Sequence, residues 1–565
     1  MFNKARVLLA GILLILAGGW LASAIQTSGG VELRDIRFAA PDGTIMSALL
    51  YVPQNATPET PAPSILAVHG YINSRETQAG FAIEFARRGY VVLALDQTGH
   101  GFSGGPAFSA GFGGPAGLSY LRGLDFVDTD NIGLEGHSMG GWAVLAAAAA
   151  MPDAYRSMVL VGSSTGAPFA QEGSTTWPRN LAVVFSRYDE FSDLMWGVPR
   201  ARSVGSSAKL QALFGTDAPV EVGRLYGSVE EGTARLLAMP ATTHPGDHFS
   251  HEAIGASLDW FSQTLKGGTP LPANKQIWIW KEIDTLMALV GFVVLLLGTF
   301  ELLLALPVFA SLRQPAKPAV TARDRGWWTR FATTAFLPVL TFFPFFILAG
   351  FIAPPNVVFK QGITNQVLVW ALLNAGIALL LARVMRVPKA DFAPVDWPRL
   401  IALSLATVLV GYLSSVLAGA AFTIDFRFWV VALKLLTFAQ FKLVLVYLVP
   451  FTLFFAVLLR GLHQQLAVAG DSAARQYLSA IAALASGFFV LLLVEYSALL
   501  INGRLLTFFD PLSTIVAIQF LPLMAFIALV STSTYKRTNS HLPGALICGM
   551  LVTWYIVAGT ATQSL

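Results

Sequence analysis

The chain has 565 residues, of which 55% are hydrophobic and 12% charged, against roughly 45–50% and about 25% in an average soluble domain, so a single soluble globule is excluded. The formal net charge of +4 sums two unlike parts: residues 31–276 carry 16 basic and 23 acidic side chains, and the remainder is net +11. Those basic residues flank long apolar runs instead of forming a patch on a polar domain, which points to membrane topology and leaves no nucleic-acid partner expected.

In chain order, Lys4 and Arg6 precede an apolar run from Val7 to Ile25, close to the roughly 20 residues that cross a bilayer. Ala22-Ser23-Ala24 fits a small-residue cleavage site, but a retained signal anchor over residues 1–28 is the favoured reading, and with either one the next segment of the chain is exported. Residues 29–268 read as an α/β domain. Short Val/Ile/Leu-rich runs at 64–68, 90–95, 131–134, 158–161 and 181–185 alternate with helical patterns, the signature of a mostly parallel sheet with helices on both faces. Residues 31–52 alternate more strongly and predict two antiparallel edge strands. Residues 269–282 are expected to be a linker and 283–565 a transmembrane domain of about eight helices. Within the latter, 426–440 contains Arg427 and Lys434 and reads as an interfacial or broken helix.

Alternating sides from a cytoplasmic N-terminus puts Arg313, Lys317, Arg323, Arg325 and Arg330 on the cytoplasmic side, followed by Arg383, Arg386 and Lys389, then Arg460 and Arg475, then Lys536 and Arg537. The outer loops are basic-poor, which agrees with the positive-inside rule and sets the α/β domain outside the cytoplasm. The expected location is therefore the plasma membrane. The one cysteine, Cys548, excludes an intrachain disulfide and a cysteine zinc cluster, and a parallel-sheet domain of this size stands without a disulfide.

The chemistry concentrates at Gly136-His137-Ser138-Met139-Gly140, which comes after a predicted strand and precedes the Ala-rich helix 141–150. This is a G-x-S-x-G nucleophile elbow in the strand, turn and helix context that the motif needs, with Ser138 as nucleophile. An oxyanion hole is expected from the backbone N–H groups of Met139 and Tyr71, the latter in the loop opened by His69-Gly70. His69 reads as structural, orienting that loop. With Asp96-x-x-Gly99-His100-Gly101-x-Ser103 and Gly136-His137-Ser138-Met139-Gly140-Gly141 added to His69-Gly70, residues 31–265 resemble the serine α/β-hydrolase superfamily, in the branch of esterases, lipases and acyl-peptide or prolyl peptidases. The resemblance assigns Asp96 to a structural loop at the pocket rim.

The order Ser, then Asp or Glu, then His that the resemblance implies puts the acid at Asp189, with Glu190 and Asp193 as neighbours able to compete. The base then comes from Thr243-His244-Pro245-Gly246-Asp247-His248-Phe249-Ser250-His251: His244 is favoured, His248 is the alternate, and His251 is too near the start of the closing helix. A metal cluster of these histidines with Asp247 is the weaker reading, because a serine elbow needs no metal; no metal or cofactor is expected. Residues 163–180 are short for a helical cap, whereas 191–234 have room for a partial lid. In the membrane half Glu301, Glu495, Lys434 and Lys442 lie in or beside apolar runs and read chiefly as interhelical pairs or snorkelling side chains.

The expected function is a membrane-anchored, extracytoplasmic serine hydrolase of carboxylic esters, lipid-like esters first and peptide or amide bonds second, with an ester substrate and membrane lipids as its partners. The alternative is a polytopic transporter or lipid-handling protein with a sensing or gating hydrolase-like domain.

Overall fold

In the computed structural model, which describes residues 2–385, 387 and 390–559, the chain opens on helix α1 (Phe2–Gln26). Arg386 and Lys389, two of the basic residues that indicate topology, lie outside the described residues, as does Thr560 at the end of the last expected span. Two compact units form. One holds Trp20–Asp284 and Ser497–Pro511; the other holds Thr285–Tyr496 with residues 2–19 and 512–559.

The first unit is built on a nine-stranded sheet. Strands β1 (Glu32–Ala39) and β2 (Ile45–Val52) pair antiparallel from Glu32↔Val52 to Ala39↔Ile45. Next come β3 (Ala62–Val68), helix α2 (Ala79–Arg87), β4 (Val91–Leu95), α3 (Gly114–Arg122), β5 (Val127–His137), α4 (Met139–Ala150) and β6 (Ser157–Val161). The unit continues with β7 (Leu181–Val184), α5 (Ser192–Trp196), α6 (Ala208–Phe214), β8 (Leu225–Tyr226), β9 (Arg235–Ala238) and α7 (His251–Thr264). The strand order is β1-β2-β4-β3-β5-β6-β7-β9-β8, parallel from β4 through β9. β8, two residues pairing antiparallel with β9, has no counterpart in the expected strands, since two residues carry no periodicity.

Because both faces of the central strands are covered, β3, β4, β6 and β7 are buried along their whole length, which is why they read as continuous apolar runs. One core layer packs the sheet against Leu118 and Leu121 of α3 and Val144 of α4. The opposite layer packs it against Phe81 and Phe85 of α2 and Leu258, Trp260 and Phe261 of α7. Each such side chain contributes roughly 1.5–3 kcal/mol when fully buried. Parallel strands end on one edge of the sheet, and the residues immediately after β3, β5, β6 and β7 meet there.

Helix α8 (Trp278–Leu304) starts at Trp278 rather than at 283, because a buried carboxylate caps it. Glu84 Oε1 accepts hydrogen bonds from the backbone N–H groups of Ile277 (2.6 Å) and Trp278 (3.1 Å), while Glu84 Oε2 takes Arg88 at 2.8 Å. An acidic group at a helix N-terminus satisfies orphan donors and complements the helix dipole.

In the second unit, α9 (Arg325–Leu340) and α10 (Phe342–Ile352) form a pair bent by 47°. After them come α11 (Gly362–Val384), α12 (Trp397–Phe422), strands β10 (Phe426–Phe428) and β11 (Val431–Leu433), then α13 (Phe438–Gln465), α14 (Ala473–Asn502), α15 (Pro511–Thr538) and α16 (Leu542–Gly559). Among the described residues, eight helices, α1 included, are long and apolar enough to cross a membrane, and nine spans result if the bent pair counts as one.

The interfacial helix expected over 426–440 is instead a hairpin. The aromatic and β-branched run Phe428-Trp429-Val430-Val431 favours strand, Arg427 pairs with both oxygens of Asp425 at 2.7–2.8 Å, and α13 begins only at a capping box between Thr437 and Gln440. Lys434 therefore directly succeeds a strand, and Trp554 donates to its carbonyl at 2.6 Å. Glu301 is bonded to Arg537, and the Lys442 ammonium lies 4.5 Å over the Phe438 ring.

Within this unit α1 packs on α8 backbone to backbone. A Cβ added at Gly291 would lie 2.8 Å from the Ile15 nitrogen, and one at Gly298 would lie 2.7 Å from that of Leu8; small residues are what allows such an approach between apolar helices. Gly291→Val is expected to destabilise the detergent-solubilised protein by about 1–3 kcal/mol. Gly376→Val, where nothing lies within 4 Å, should stay within about 0.5 kcal/mol of the parent; thermal unfolding of both variants checks this.

Candidate active site

β5 delivers Ser138 to the sheet edge, and the chain reverses there into α4. Ser138 has φ +54° and ψ −123°, a conformation that a side-chain-bearing residue holds only where its surroundings impose it. Two contacts impose it here: Ser138 N–H donates to Val161 O on the neighbouring strand at 2.8 Å, and Gly141 N–H returns to Ser138 O at 2.9 Å. The flanking glycines are needed for clearance. A Cβ at Gly136 would lie 2.3 Å from Gly140 O, and one at Gly140 would lie 2.0 Å from Val68 O. Ser138 itself is half-buried, and Met139 is the first residue of α4.

The loop after β3 runs alongside, with a Cβ at Gly70 falling 3.0 Å from Ser138 Cβ, so Tyr71 comes directly at the elbow. His69 fixes this loop: its Nδ1–H donates to Gly70 O at 2.7 Å and its Nε2 accepts from Gln97 N–H at 3.2 Å. Asp96 is likewise a loop anchor, accepting from Arg75 N–H (2.8 Å), Ser47 Oγ (2.9 Å) and Phe102 N–H (3.0 Å).

Asp189 lies in the loop after β7 and is buried. Its Oδ1 accepts from Phe191 N–H at 2.8 Å, and its Oδ2 accepts from His244 Nδ1 at 2.8 Å. The competing acids lie elsewhere: Glu190 Oε2 accepts from the backbone N–H of His244 at 2.7 Å, and Asp193 is exposed in the first turn of α5. His248 lies tilted against His137 and edge-to-face with Phe81, at centroid distances of 4.1 and 6.1 Å. His251, the first residue of α7, is exposed and bonded to Gln276 at 2.9 Å.

His244 sits over the residue after Val161, the acceptor of the Ser138 N–H: a Cβ at Gly162 would be 3.0 Å from His244 Nδ1. The His244 ring packs between His137 (4.7 Å) and Phe191 (4.6 Å), so the imidazole bonded to Asp189 stands beside the serine elbow. Burial lowers the pKa of His244 from its usual 6.5 to about 4 and raises that of Asp189 above the ordinary carboxylate range; desolvation disfavours the charged form of each.

Two residues were not singled out as parts of the site by sequence reasoning. His137 Nε2 donates to the carbonyl of His244 at 3.1 Å and lies 3.6 Å from Asp247 Oδ2, and Asp247 Oδ1 is bonded to Ser186. His137 thus ties the imidazole loop to the elbow. The signal for it is its place in the G-x-S-x-G pentapeptide, where it reads as a spacer. Among the described residues no group of three or more His, Cys, Asp or Glu side chains is arranged to hold a metal ion.

Residues 163–180 contain no helix or strand. From this loop Phe169 stacks on Phe108 at 5.8 Å and meets Phe112 (5.9 Å) and Trp142 (5.1 Å), while Phe108 meets Tyr71 at 5.7 Å. Phe108 and Phe169 are 40% and 49% exposed, so an aromatic wall open to solvent adjoins the Gly70-Tyr71 loop.

Residues 63–208 match the family described as the alpha/beta hydrolase fold. This segment has the α/β-hydrolase fold. The chain is 35% identical over 201 residues to a monoacylglycerol lipase of Mycolicibacterium smegmatis, a match that covers 32% of this chain and 63% of the relative. Among solved structures it is similar to a hypothetical protein of Pseudomonas aeruginosa (29% identity, 24% of this chain and 43% of the other, TM-score 0.22). It is also similar to an esterase of Pyrococcus furiosus (18% identity, 42% of this chain and 92% of the other, TM-score 0.31). The chain spans 63% of the length of that monoacylglycerol lipase, and the segment matched by the family model ends before the helices after residue 278.

Proposed function

We propose that this protein is a membrane-anchored serine hydrolase of carboxylic esters with a long acyl chain, and that Ser138, His244 and Asp189 are its triad. The observation that carries the reading is the His244 to Asp189 bond of 2.8 Å beside a serine held at positive φ on a strand-to-helix turn. A hydroxyl becomes a nucleophile when an adjacent neutral imidazole takes its proton, and the imidazole needs a partner at its other nitrogen to fix the tautomer.

In this reading Ser138 Oγ attacks the ester carbonyl as His244 Nε2 accepts its proton. The N–H groups of Met139 and Tyr71 stabilise the oxyanion. His244 then protonates the leaving alcohol, and a water molecule, deprotonated by the same imidazole, hydrolyses the acyl-enzyme to release a carboxylic acid. Asp189 stays ionised when His244 becomes positive, because the imidazolium appears 2.8 Å from its carboxylate. The exposed aromatic wall of Phe108 and Phe169 supports an apolar acyl group, and the similarity to a monoacylglycerol lipase supports an ester of a single chain. The distribution of Lys and Arg between apolar runs supports placing this domain outside the cytoplasm.

Ser138→Ala is expected to lower hydrolysis of p-nitrophenyl esters at least 10⁴-fold with the protein still folded. Phe169→Ala should raise KM several-fold for a long-chain ester and leave an acetyl ester little changed; kinetics across chain lengths read both effects. The pH profile is set by the burial of His244. The base must be neutral, so kcat/KM falls as pH drops through its pKa, and lowering that value from 6.5 to about 4 keeps the enzyme active into acidic buffer. The acid limb of kcat/KM is expected below pH 6.5, and a limb above 7 would contradict the assignment.

A further inference from the structure

The helical unit contains a cavity that the hydrolase chemistry does not use. Its lining comes from five helices, α9, α11, α13, α14 and α15. Three of them line it along one face each: 330–338 on α9, 370–382 on α11 with Met385 just after it, and 454–465 on α13. At 1.5 Å per residue these stretches run about 12–22 Å.

The two ends differ in chemistry. Arg330, Thr333, Thr334 and Gln465 line one end; Trp370, Phe454, Phe488 and Met524 line the other, the floor. Floor polar groups are bonded within the protein. Trp370 Nε1–H donates to Pro338 O at 2.8 Å, Asn374 donates to Trp370 O at 2.8 Å, and Thr341 donates to Asn374 Oδ1 at 3.1 Å.

Arg330 differs. Its side chain is 10% exposed, its Nε–H makes one long bond to Gln465 O (3.4 Å), and its nearest carboxylate is Asp324 Oδ1 at 4.0 Å from Nη2. The terminal nitrogens of this guanidinium therefore have no acceptor within hydrogen-bonding distance among the described residues. The planar fork of an arginine suits a carboxylate or phosphate bound by two parallel hydrogen bonds.

We infer that this cavity binds a single-chain amphiphile with an anionic head, the head on Arg330 and the chain running between α9, α11 and α13 to the aromatic floor. A carboxylate head makes the ligand a fatty acid; a phosphate head makes it a lysophospholipid. The site and its test do not depend on the serine chemistry of the α/β unit.

The experiment uses the full chain in phosphatidylcholine nanodiscs with a diazirine-bearing palmitate probe, mapping photo-adducts by mass spectrometry in the parent and in Ser138→Ala. Adducts on the cavity-lining stretches of α9, α11, α13, α14 or α15 are expected in both backgrounds. Palmitate or lysophosphatidate should displace the probe and uncharged monopalmitin should not, with the stronger competitor identifying the head group. Arg330→Gln should lower labelling at least tenfold and Arg330→Lys much less. Ala378→Phe, which fills the groove, should lower it without touching the charge; size-exclusion profiles report folding of each variant. Equal displacement by monopalmitin, unchanged labelling in Arg330→Gln, or adducts confined to helices that do not line the cavity would overturn the proposal.

Discussion

A serine can be raised from the end of a buried parallel strand only if the backbone turns there at positive φ and nothing larger than hydrogen flanks the turn. At Ser138 this constraint reaches far into the sequence. It requires Gly136 and Gly140, whose added Cβ atoms would strike Gly140 O and Val68 O, and it requires Val161 on β6 to hold the Ser138 N–H. It also sets β3 and β5 side by side, so that the His69-Gly70-Tyr71 loop emerges against the elbow. The two apolar layers on α2, α3, α4 and α7 keep those strands in register, and the strained turn persists because the rest of the sheet over-determines it.

Around the turn, burial has opposite effects on the two titratable partners: it holds His244 neutral and disfavours the charge on Asp189. Their 2.8 Å bond is what makes such a pair tolerable in a low-dielectric setting, since a buried polar group costs least when its hydrogen bonds are made. Glu190 holds the backbone of His244 and His137 holds its carbonyl, so neighbours on two segments, the loop after β7 and the end of β5, restrain one imidazole. A loop residue anchored in this way loses little further freedom when a substrate arrives.

Much of this is legible in the sequence. The buried strands announce themselves as continuous apolar runs between helical patterns, and the elbow as a pentapeptide between a strand and a helix. Asp189 and His244, drawn together from 55 positions apart, are legible only through the chain order that the resemblance implies, because no local pattern links them. His137 and Asp247 escape because their roles are tertiary. His137 is an ordinary strand-end residue and Asp247 an ordinary turn residue until the strand ends converge. The start of α8 at Trp278 is hidden for a similar reason: the capping carboxylate, Glu84, comes from a helix nearly 200 positions earlier. The hairpin at 426–433 misleads in the opposite direction, because hydropathy alone does not separate a short apolar hairpin from a broken helix, whereas its aromatic and β-branched residues do.

The helical unit adds a bundle in which charges are paired or placed over rings, as with Glu301 and Arg537 or Lys442 and Phe438, and in which Arg330 keeps its nearest carboxylate only at 4.0 Å. The proposed triad is tested most directly by a cryo-EM structure of the full-length protein after reaction with a fluorophosphonate. The triad of Ser138, His244 and Asp189 predicts a phosphorus atom bonded to Ser138 Oγ, its oxygen accepting from the N–H groups of Met139 and Tyr71, with His244 Nε2 facing the adduct. A modified residue other than Ser138, or an adduct faced by His248 in place of His244, would contradict it.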